Sequence, residues 1–413
     1  MKTKNIFLLA VIALTLCSPS LLGQDFTWTL TSAPNTNWFS VASSSDGSKL
    51  VAVTLGEFAN GGIYISTDSG TTWTQTSAPD AGWVSVASSS DGTTFVAVAA
   101  PITYNGGIYT STNSGTTWTQ TSAPTNQNWR SVASSSNATK LVAVVEDGGI
   151  YISTNSGTTW TLTSAPPVLW VSVASSSDGT KLVAVTPGVI VGYSGIYIST
   201  DSGTTWTQTS TPTDQQNWTS VASSSDGTKL IAVASAEDYN NGGIFTSTNS
   251  GATWTLTSAP DISWQSVASS SDGTTFVAVA APITYNGGIY TSTNSGTTWT
   301  QTSAPTNQNW WSVASSSNAT KLVAVVNYGG GIYTGAITPP PSPSLTLQFL
   351  SGYPLLSLYG TLGNTYTVQY TTNLAVSNWT PMLIVPSLSV SPFQMIDPAG
   401  VGQPMRFYRA IQQ

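Results

Sequence analysis

The chain has 413 residues, of which only 7% are charged, and its formal net charge at neutral pH is −7. This balance excludes a nucleic-acid partner, because a phosphate backbone calls for a basic surface and the only arginines are Arg130, Arg406 and Arg409. Sixteen tryptophans in a chain rich in Ser, Thr, Asn and Gly exclude a low-complexity tail and favour a secreted all-β protein.

The N-terminus has the pattern of a secretory signal. Lys2 and Lys4 precede an apolar run over residues 6–17, which is too short to span a bilayer. We expect a signal peptide over residues 1–23 and a secreted, periplasmic or cell-surface location. A lipid anchor on Cys17 is the alternative, disfavoured by Leu16 before it. Without the signal the chain has no cysteine or histidine, which excludes disulfides, imidazole catalysis and zinc held by those residues.

Two markers repeat along most of the chain. One is a tryptophan followed by S-V-A-S-S-S, at Trp38, Trp83, Trp129, Trp170, Trp218, Trp264 and Trp310. The other is a tryptophan inside T-W-T, at Trp28, Trp73, Trp118, Trp160, Trp206, Trp254 and Trp299. Successive markers of the second kind are 42 to 48 residues apart, which is the length of one four-stranded propeller blade.

Each unit predicts four strands in a fixed order. Strand A is S-V-A-S-S, strand B is K-L-V-A-V, strand C is G-I-Y-I-S and strand D is T-W-T-Q-T. The seventh unit stops after its strand C at residues 331–334, whereas residues 26–31 form a strand D without preceding strands. Pairing of these two segments would close a seven-bladed propeller over residues 24–336 and remove exposed sheet edges.

The turn between strands C and D carries the pattern S-x-D-x-G-x-T-W, first at residues 66–73. It resembles the Asp-box, or bacterial neuraminidase repeat, of the sialidase, sortilin and photosystem II assembly factor-like propeller superfamily. The box residues, which the resemblance implies are structural, are Asp68, Trp73, Asn113, Trp118, Asn155, Trp160, Asp201, Trp206, Asn249, Trp254, Asn294 and Trp299. Asn in place of Asp supports this role, because a turn needs only an acceptor oxygen whereas catalysis would need the carboxylate.

The C-terminal part is a second, smaller domain. A stiff Pro/Ser linker over residues 337–344 precedes it. Residues 345–413 predict a small β-sandwich, with strands at 345–350, 365–370, 382–385 and 406–411. The pattern G-N-T-Y-T-V-Q-Y-T-T-N-L with the terminal R-F-Y-R resembles modules that end many secreted bacterial proteins.

The carboxylates divide between the two faces of the predicted propeller. The box face, formed by the A–B and C–D turns, has seven acids and five lysines. The loop face, formed by the B–C and D–A connections, is acidic and has Arg130 as its only nearby base. Candidate ligand-binding residues on the loop face are Glu57, Phe58, Tyr104, Glu146, Asp147, Tyr193, Glu237, Asp238, Tyr239, Tyr285 and Tyr328; such aromatic and acidic groups suit sugars or peptides. Unconstrained loop variation explains them equally well.

The resemblance predicts the fold but not the function. Sialidases of this superfamily grip a substrate carboxylate with three arginines, and one arginine in this propeller cannot form that triad. Glycoside hydrolysis needs only two suitably spaced carboxylates, and the candidates are Asp80, Asp214 and Asp261. Solvated loop acids are the competing interpretation. No calcium-loop pattern, other metal site or cofactor is predicted.

We therefore predict a secreted, non-catalytic binding or scaffold propeller that recognises an extracellular glycan or envelope protein through its loop face. A polysaccharide-active glycoside hydrolase and a cell-surface structural or adhesion component are the alternatives. The chain is expected to be a monomer without a membrane span.

Overall fold

The structure is a computed structural model that describes residues 26–56, 61–101, 106–188, 195–210, 216–236, 242–282, 287–337, 344–350, 353–360, 363–373, 378–401 and 406–412. The predicted signal peptide and its cleavage position lie outside these residues, and so does almost all of the predicted linker. Two compact units divide the described chain, one on either side of the boundary between Thr338 and Pro339.

The first unit contains seven four-stranded antiparallel sheets, as predicted. Strand A of each blade contacts strand A of the next, and strand A of blade 7 contacts that of blade 1, so these strands form a closed inner ring. In blades 1 to 7 they are Trp38–Ser43, Gly82–Ser88, Trp129–Ser134, Ser172–Ser175, Trp218–Ser223, Trp264–Ser269 and Trp310–Ser315.

The other strands follow outward in the order B, C and D. The B strands are Leu50–Thr54, Phe95–Ala100, Leu141–Val145, Leu182–Thr186, Leu230–Ala234, Phe276–Ala280 and Lys321–Val326. The C strands are Ile63–Ser66, Gly107–Ser111, Ile150–Ser153, Gly195–Ser199, Gly243–Ser247, Gly288–Ser292 and Ile332–Ile337. The D strands are short: Thr74–Gln75, Thr119–Gln120, Thr161–Leu162, Thr207–Gln208, Thr255–Leu256 and Thr300–Gln301 in blades 1 to 6.

The N-terminal strand closes the ring in blade 7. Phe26–Leu30 pairs antiparallel with Ile332–Ile337, with Phe26 opposite Ile337 and Leu30 opposite Tyr333. This confirms the predicted pairing. The partner strand continues to Ile337, three residues beyond the predicted end, because residues 335–337 also pair with the N-terminal strand.

Burial follows from the sequence of each blade. B strands such as L-V-A-V-T are buried along their whole length, because neighbouring blades cover both of their faces. The tryptophan before S-V-A-S in each blade is at most 1% exposed. Trp38, for example, belongs to a cluster that joins blade 1 to strands B and C of blade 7. These tryptophans therefore pack between blades.

Serine side chains join the inner strands by hydrogen bonds. The backbone N–H of Val86 donates to Oγ of Ser40 in the preceding blade at 3.2 Å. The same bond recurs at Val132, Val173, Val221, Val267, Val313 and finally Val41, which donates to Ser312. The S-V-A-S repeat is therefore a fastener that requires a small hydroxyl at its first position.

The second unit consists of two three-stranded sheets. One has the order Ser344–Leu350, Tyr353–Tyr359, Phe393–Ile396, and the other has the order Thr380–Val385, Tyr366–Thr371, Phe407–Gln412. A single 3-10 turn spans Pro398–Gly400. The buried core comprises Leu356, Leu358, Tyr366, Val368, Val385, Leu388 and Met395. These sheets fit the predicted β-sandwich, although Tyr353–Tyr359 and Phe393–Ile396 were not predicted.

Candidate functional site

The acids of the S-S-S-D-G turns on the box face accept hydrogen bonds from other residues of the same turns. Asp91 Oδ1 accepts hydrogen bonds from Ser89 Oγ at 2.6 Å and from Thr93 N at 3.0 Å. These donors, with Ser89 the stronger, lower the pKa of Asp91 to about 2. The equivalent acids with the same lowering are Asp46, Asp178, Asp226 and Asp272. Asn137 and Asn318 replace the acid in blades 3 and 7.

The predicted box residues form tight turns in all six copies. In the first, Gly70 lies in the left-handed region at φ +90° and donates from its N–H to Ser66 Oγ at 2.8 Å. Asp68 Oδ1 accepts from Thr72 N at 2.9 Å, and this bond is the main reason that its pKa is lowered. Asn113 Oδ1 accepts the equivalent bond at the same distance. The acceptor, not the charge, is therefore what the turn uses.

The two kinds of box differ at their tryptophans. In the Asp boxes, Trp73 and Trp206 donate from Nε1 to a glycine carbonyl at 3.1 Å. In the Asn boxes, the buried Nε1 atoms have no partner; they belong to Trp118, Trp160, Trp254 and Trp299. The hydrogen bonds of the box tryptophans thus differ between blades, but the acids of the box face accept hydrogen bonds within their own turns in each case.

Serines from all seven blades surround an opening of about 250 Å³ at the box-face end of the inner ring. Its backbone is tied into a circle, because the N–H of Ser45 donates to the carbonyl of Ser90 in the next blade at 2.8 Å. The circle continues through Ser136, Ser177, Ser225, Ser271 and Ser317, and Ser317 donates back to Ser45 at 2.7 Å. This end of the ring is uniform in both sequence and hydrogen bonding.

Five of the predicted loop-face residues are described, and they belong to four connections. Asp80 and Asp261 precede blades 2 and 6, respectively, and both are exposed. Asp261 Oδ1 accepts from Gly242 N at 2.6 Å, so this carboxylate fixes a neighbouring loop. Glu146 accepts from Asn128 Nδ2 at 3.1 Å within blade 3.

The remaining two described candidates occupy equivalent turns in blades 3 and 7. Asp147 and Tyr328 both have a positive φ, at +55° and +58°, and Tyr328 is 78% exposed. The other candidates lie outside the described residues: Glu57, Phe58, Tyr104, Tyr193, Asp214, Glu237, Asp238, Tyr239 and Tyr285. In the described part of the chain, no group of three acidic side chains could hold a metal ion, and no helix is long and apolar enough to cross a bilayer.

Sequence reasoning overlooked the residue between the buried tryptophan and S-V-A-S. In six blades the register of strand A shifts at this residue, as in a β-bulge. A bulge leaves the extra residue out of the ladder and can redirect its side chain. We call these seven positions the mouth ring; in blade order they are Phe39, Val84, Arg130, Val171, Thr219, Gln265 and Trp311.

Contacts between blades connect members of the mouth ring. The rings of Phe39 and Trp311 lie 5.4 Å apart across the boundary between blades 1 and 7. Phe39 also packs against the cluster that contains Val84 of blade 2. Thr219 Oγ1 donates to the Trp264 carbonyl of blade 6 at 2.9 Å. The ring therefore lies on the inner strands at the loop-face end, opposite the serine-lined opening.

Arg130 has an unusual setting within the mouth ring. It is partly exposed, and its guanidinium has no hydrogen bond or ion pair with any described residue. A cation that has no partner among the described residues is available to an external acceptor.

The C-terminal module has its own charged cluster. The Arg406 guanidinium lies 3.0 Å from Asp397 Oδ2, and Tyr408 Oη donates to the same oxygen at 2.8 Å. Burial, aided by this hydrogen bond and the Asp397 charge, raises the pKa of Tyr408 to about 12. Arg406 also lies 3.6 Å from the centre of the Tyr370 ring. These contacts connect the terminal strand to the rest of the module, which indicates a structural role for R-F-Y-R.

Comparison with known proteins supports the fold assignment. A Sortilin-Vps10 family model, described as sortilin, neurotensin receptor 3, matches residues 194–331. A search of curated protein sequences gave no match.

Solved structures similar to this chain include YCF48 from Cyanidioschyzon merolae, at 15% identity and a TM-score of 0.55, covering 74% of this chain and 98% of that one. A structure described as YCF48 bound to D1 peptide has 16% identity and a TM-score of 0.57, covering 78% and 99%. A GH74 xyloglucanase from Xanthomonas campestris has 15% identity and a TM-score of 0.59, covering 81% of this chain but only 60% of that one. The chain therefore shares its β-propeller fold with YCF48 and with the GH74 xyloglucanase.

Proposed function

We propose that this chain is a secreted, non-catalytic binding or scaffold protein that recognises an envelope protein or an extracellular glycan through its loop face. The observation that carries the proposal is the contrast between the faces. The turn acids on the box face are bonded to their own turns, as for Asp91 and Asp68. On the loop face, Tyr328 is exposed, and Arg130 has no partner among the described residues.

A protein partner is favoured over a glycan. A propeller of the same fold is described as bound to a peptide, which supports peptide recognition as a use of this architecture. Exposed aromatic and charged groups are also what anchors a protein interface.

The test uses the full chain as bait against the native envelope, with cross-linking, alongside a glycan array. A loop-face variant carrying Asp147→Asn and Tyr328→Ser is compared with the box-face variant Asp91→Asn, which introduces the residue found at position 137. We expect the loop-face variant to lose the captured ligand and the control to retain it. Empty results in both assays, or equal loss by both variants, would contradict the proposal.

A polysaccharide hydrolase is the second candidate, and the similarity in fold to a xyloglucanase motivates its test. Two acids must lie about 5–10 Å apart for either stereochemical course. Asp80 and Asp261 belong to connections four blades apart, and Asp261 is bonded to Gly242. We therefore expect no release of reducing sugar from polysaccharides. Release that disappeared in Asp80→Asn or Asp261→Asn would instead establish the hydrolase.

A surface-layer or adhesion role remains the third candidate, with the C-terminal module as the attachment. Fractionation of the producing cells tests it: retention of the full chain in the envelope, and its release to the medium when residues 345–413 are deleted, would favour this role.

A further inference from the structure

Two long segments of the propeller are almost exact copies. Residues 83–145 and 264–326 cover most of blades 2 and 3 and of blades 6 and 7, and they differ at only two positions. Val84 in the first copy corresponds to Gln265 in the second, and Arg130 corresponds to Trp311. Both positions belong to the mouth ring. The two copies therefore differ only at positions of the mouth ring, and all their other residues are identical.

Packing inside the copied segments does not account for these two differences. The other residues of the two segments are identical, including the buried tryptophan and the serine that fastens the next blade. Residues outside the segments differ: Glu146 follows the first copy and Asn327 the second, and Trp311 contacts Phe39 of blade 1. Val84 is buried, whereas Arg130, Gln265 and Trp311 are partly exposed, so three of the four differing residues can contact a ligand at this end of the inner ring.

The mouth ring is itself asymmetric. Trp311, Phe39 and Val84 follow one another in blades 7, 1 and 2 and form an apolar arc, which we define by these three residues. Arg130 comes next, in blade 3, and a second apolar residue, Val171, follows it in blade 4. The polar pair Thr219 and Gln265 lies on the other side, in blades 5 and 6. A ligand that contacts both the apolar arc and Arg130 needs an apolar group and a carboxylate close to each other.

The chemistry of the ring favours a peptide over a sugar. Trp311 and Phe39 are inclined at 55° to each other, so they form a corner and not a flat stacking platform. The Thr219 hydroxyl already donates to the Trp264 carbonyl, which leaves few free groups for sugar hydroxyls. A compact apolar side chain fits such a corner, and an adjacent carboxylate would pair with Arg130, which has no partner in the described part of the chain.

Resting on the proposed binding function, we infer that the mouth ring is the specificity site for an extended segment of a partner protein. An apolar side chain of that segment contacts the apolar arc, and a neighbouring Asp or Glu side chain accepts hydrogen bonds from Arg130. The mouth ring thereby selects the sequence of the bound segment.

The chain supplies its own matched variants. Arg130→Trp and Trp311→Arg each introduce the residue that the other copy carries at the same position, and Arg130→Gln introduces the residue found at position 265. Thermal unfolding of each variant checks that the fold is retained. Asp91→Asn on the box face serves as the control.

The experiment pans a phage-displayed library of random linear peptides on the full chain and measures the affinities of the selected peptides after synthesis. We expect a consensus with an aromatic or aliphatic residue next to Asp or Glu. Arg130→Trp and Arg130→Gln should each weaken binding about tenfold or more, as loss of a charge-assisted hydrogen bond does. Replacing the peptide acid by its amide should weaken binding to the wild type but not to Arg130→Gln. Trp311→Arg should weaken the preference for the apolar residue.

Three outcomes would overturn the inference. The panning could enrich no peptide, the selected peptides could bind the Arg130 and Trp311 variants as tightly as the wild type, or the glycan array alone could yield a ligand. A ligand that is lost in the loop-face variant but unaffected by the mouth-ring variants would leave the proposed function standing and remove only this inference.

Discussion

The two ends of the propeller's inner ring are built from the same seven strands but have opposite characters. At the box-face end, Ser45 and its six equivalents repeat in every blade and close a circle of backbone hydrogen bonds. At the loop-face end, a few residues earlier on the same strands, no residue type of the mouth ring other than valine occurs twice. One end must be uniform for the ring to close, whereas the other can vary because a bulge removes its residues from the ladder. Substitution of a residue that repeats in every blade should therefore lower the free energy of unfolding, whereas substitution of a variable residue should not.

The largest expected effect is a difference in unfolding free energy between substitutions at two adjacent residues. Trp310 is fully buried between blades and donates from Nε1 to the Pro305 carbonyl at 2.9 Å. Trp311 is partly exposed and contacts Phe39. We expect Trp310→Ala to cost about 3–5 kcal/mol of unfolding free energy, and Trp311→Ala only about 1 kcal/mol, from the lost ring contact. Denaturant unfolding measures both, and equal costs would show that the mouth ring is part of the core.

The next effect concerns the serine fasteners. Ser40 Oγ is the acceptor for the backbone N–H of Val86 in the next blade. Ser40→Ala removes that acceptor, and a part-buried donor left without a partner costs about 1–3 kcal/mol. Ser45→Ala is the control, because Ser45 enters the circle through its backbone and its hydroxyl has no hydrogen bond to another described residue. We expect the control to change the unfolding free energy by less than about 0.5 kcal/mol. Similar values for both serines would contradict the fastener role.

A third effect is visible only in acid. The pKa of Asp91 is about 2 in the folded chain, below the value of 3.8 for an unperturbed aspartate. Its deprotonated form therefore stabilises the fold fully above about pH 4, and that contribution is lost as the pH falls through 2. Asp91→Asn should reduce the fall in melting temperature between pH 4 and pH 2, as measured by circular dichroism. Asn137→Ala in the equivalent turn of blade 3 removes an acceptor that does not titrate, so it should leave the pH dependence unchanged; an equal reduction there would contradict the assignment.

The sequence predicted the repeated parts of this molecule well. Seven blades and the N-terminal closing strand followed from counting tryptophans and box residues, because each blade repeats the same pattern of buried residues. The C-terminal strands Tyr353–Tyr359 and Phe393–Ile396 were missed. Each occurs once, so no repeat reveals it, and Pro354 in the first interrupts the strand pattern even though it pairs opposite Phe349.

The candidate site was predicted only in part. Exposed Tyr328 and Asp147 were expected on the loop face, but the mouth ring was not. Its signal was present, since one variable residue stands inside each W-x-S-V-A-S, but an alternating strand pattern gives no reason to single out that residue. Only the register shift after Trp38 and the contact between Phe39 and Trp311 reveal where these residues lie.

The smallest expected effect is also the most discriminating for the comparison between the two ends. Gln265→Val introduces the residue that the other copy carries at position 84. Because the surroundings within the blade are identical, we expect the unfolding free energy to change by less than about 0.5 kcal/mol. The preference among panned peptides should nevertheless shift, since the substitution extends the apolar side of the mouth and removes an amide. A variant that unfolds at the same denaturant concentration but selects different peptides would separate recognition from stability at one residue, whereas loss of stability without a change in selection would assign position 265 to packing.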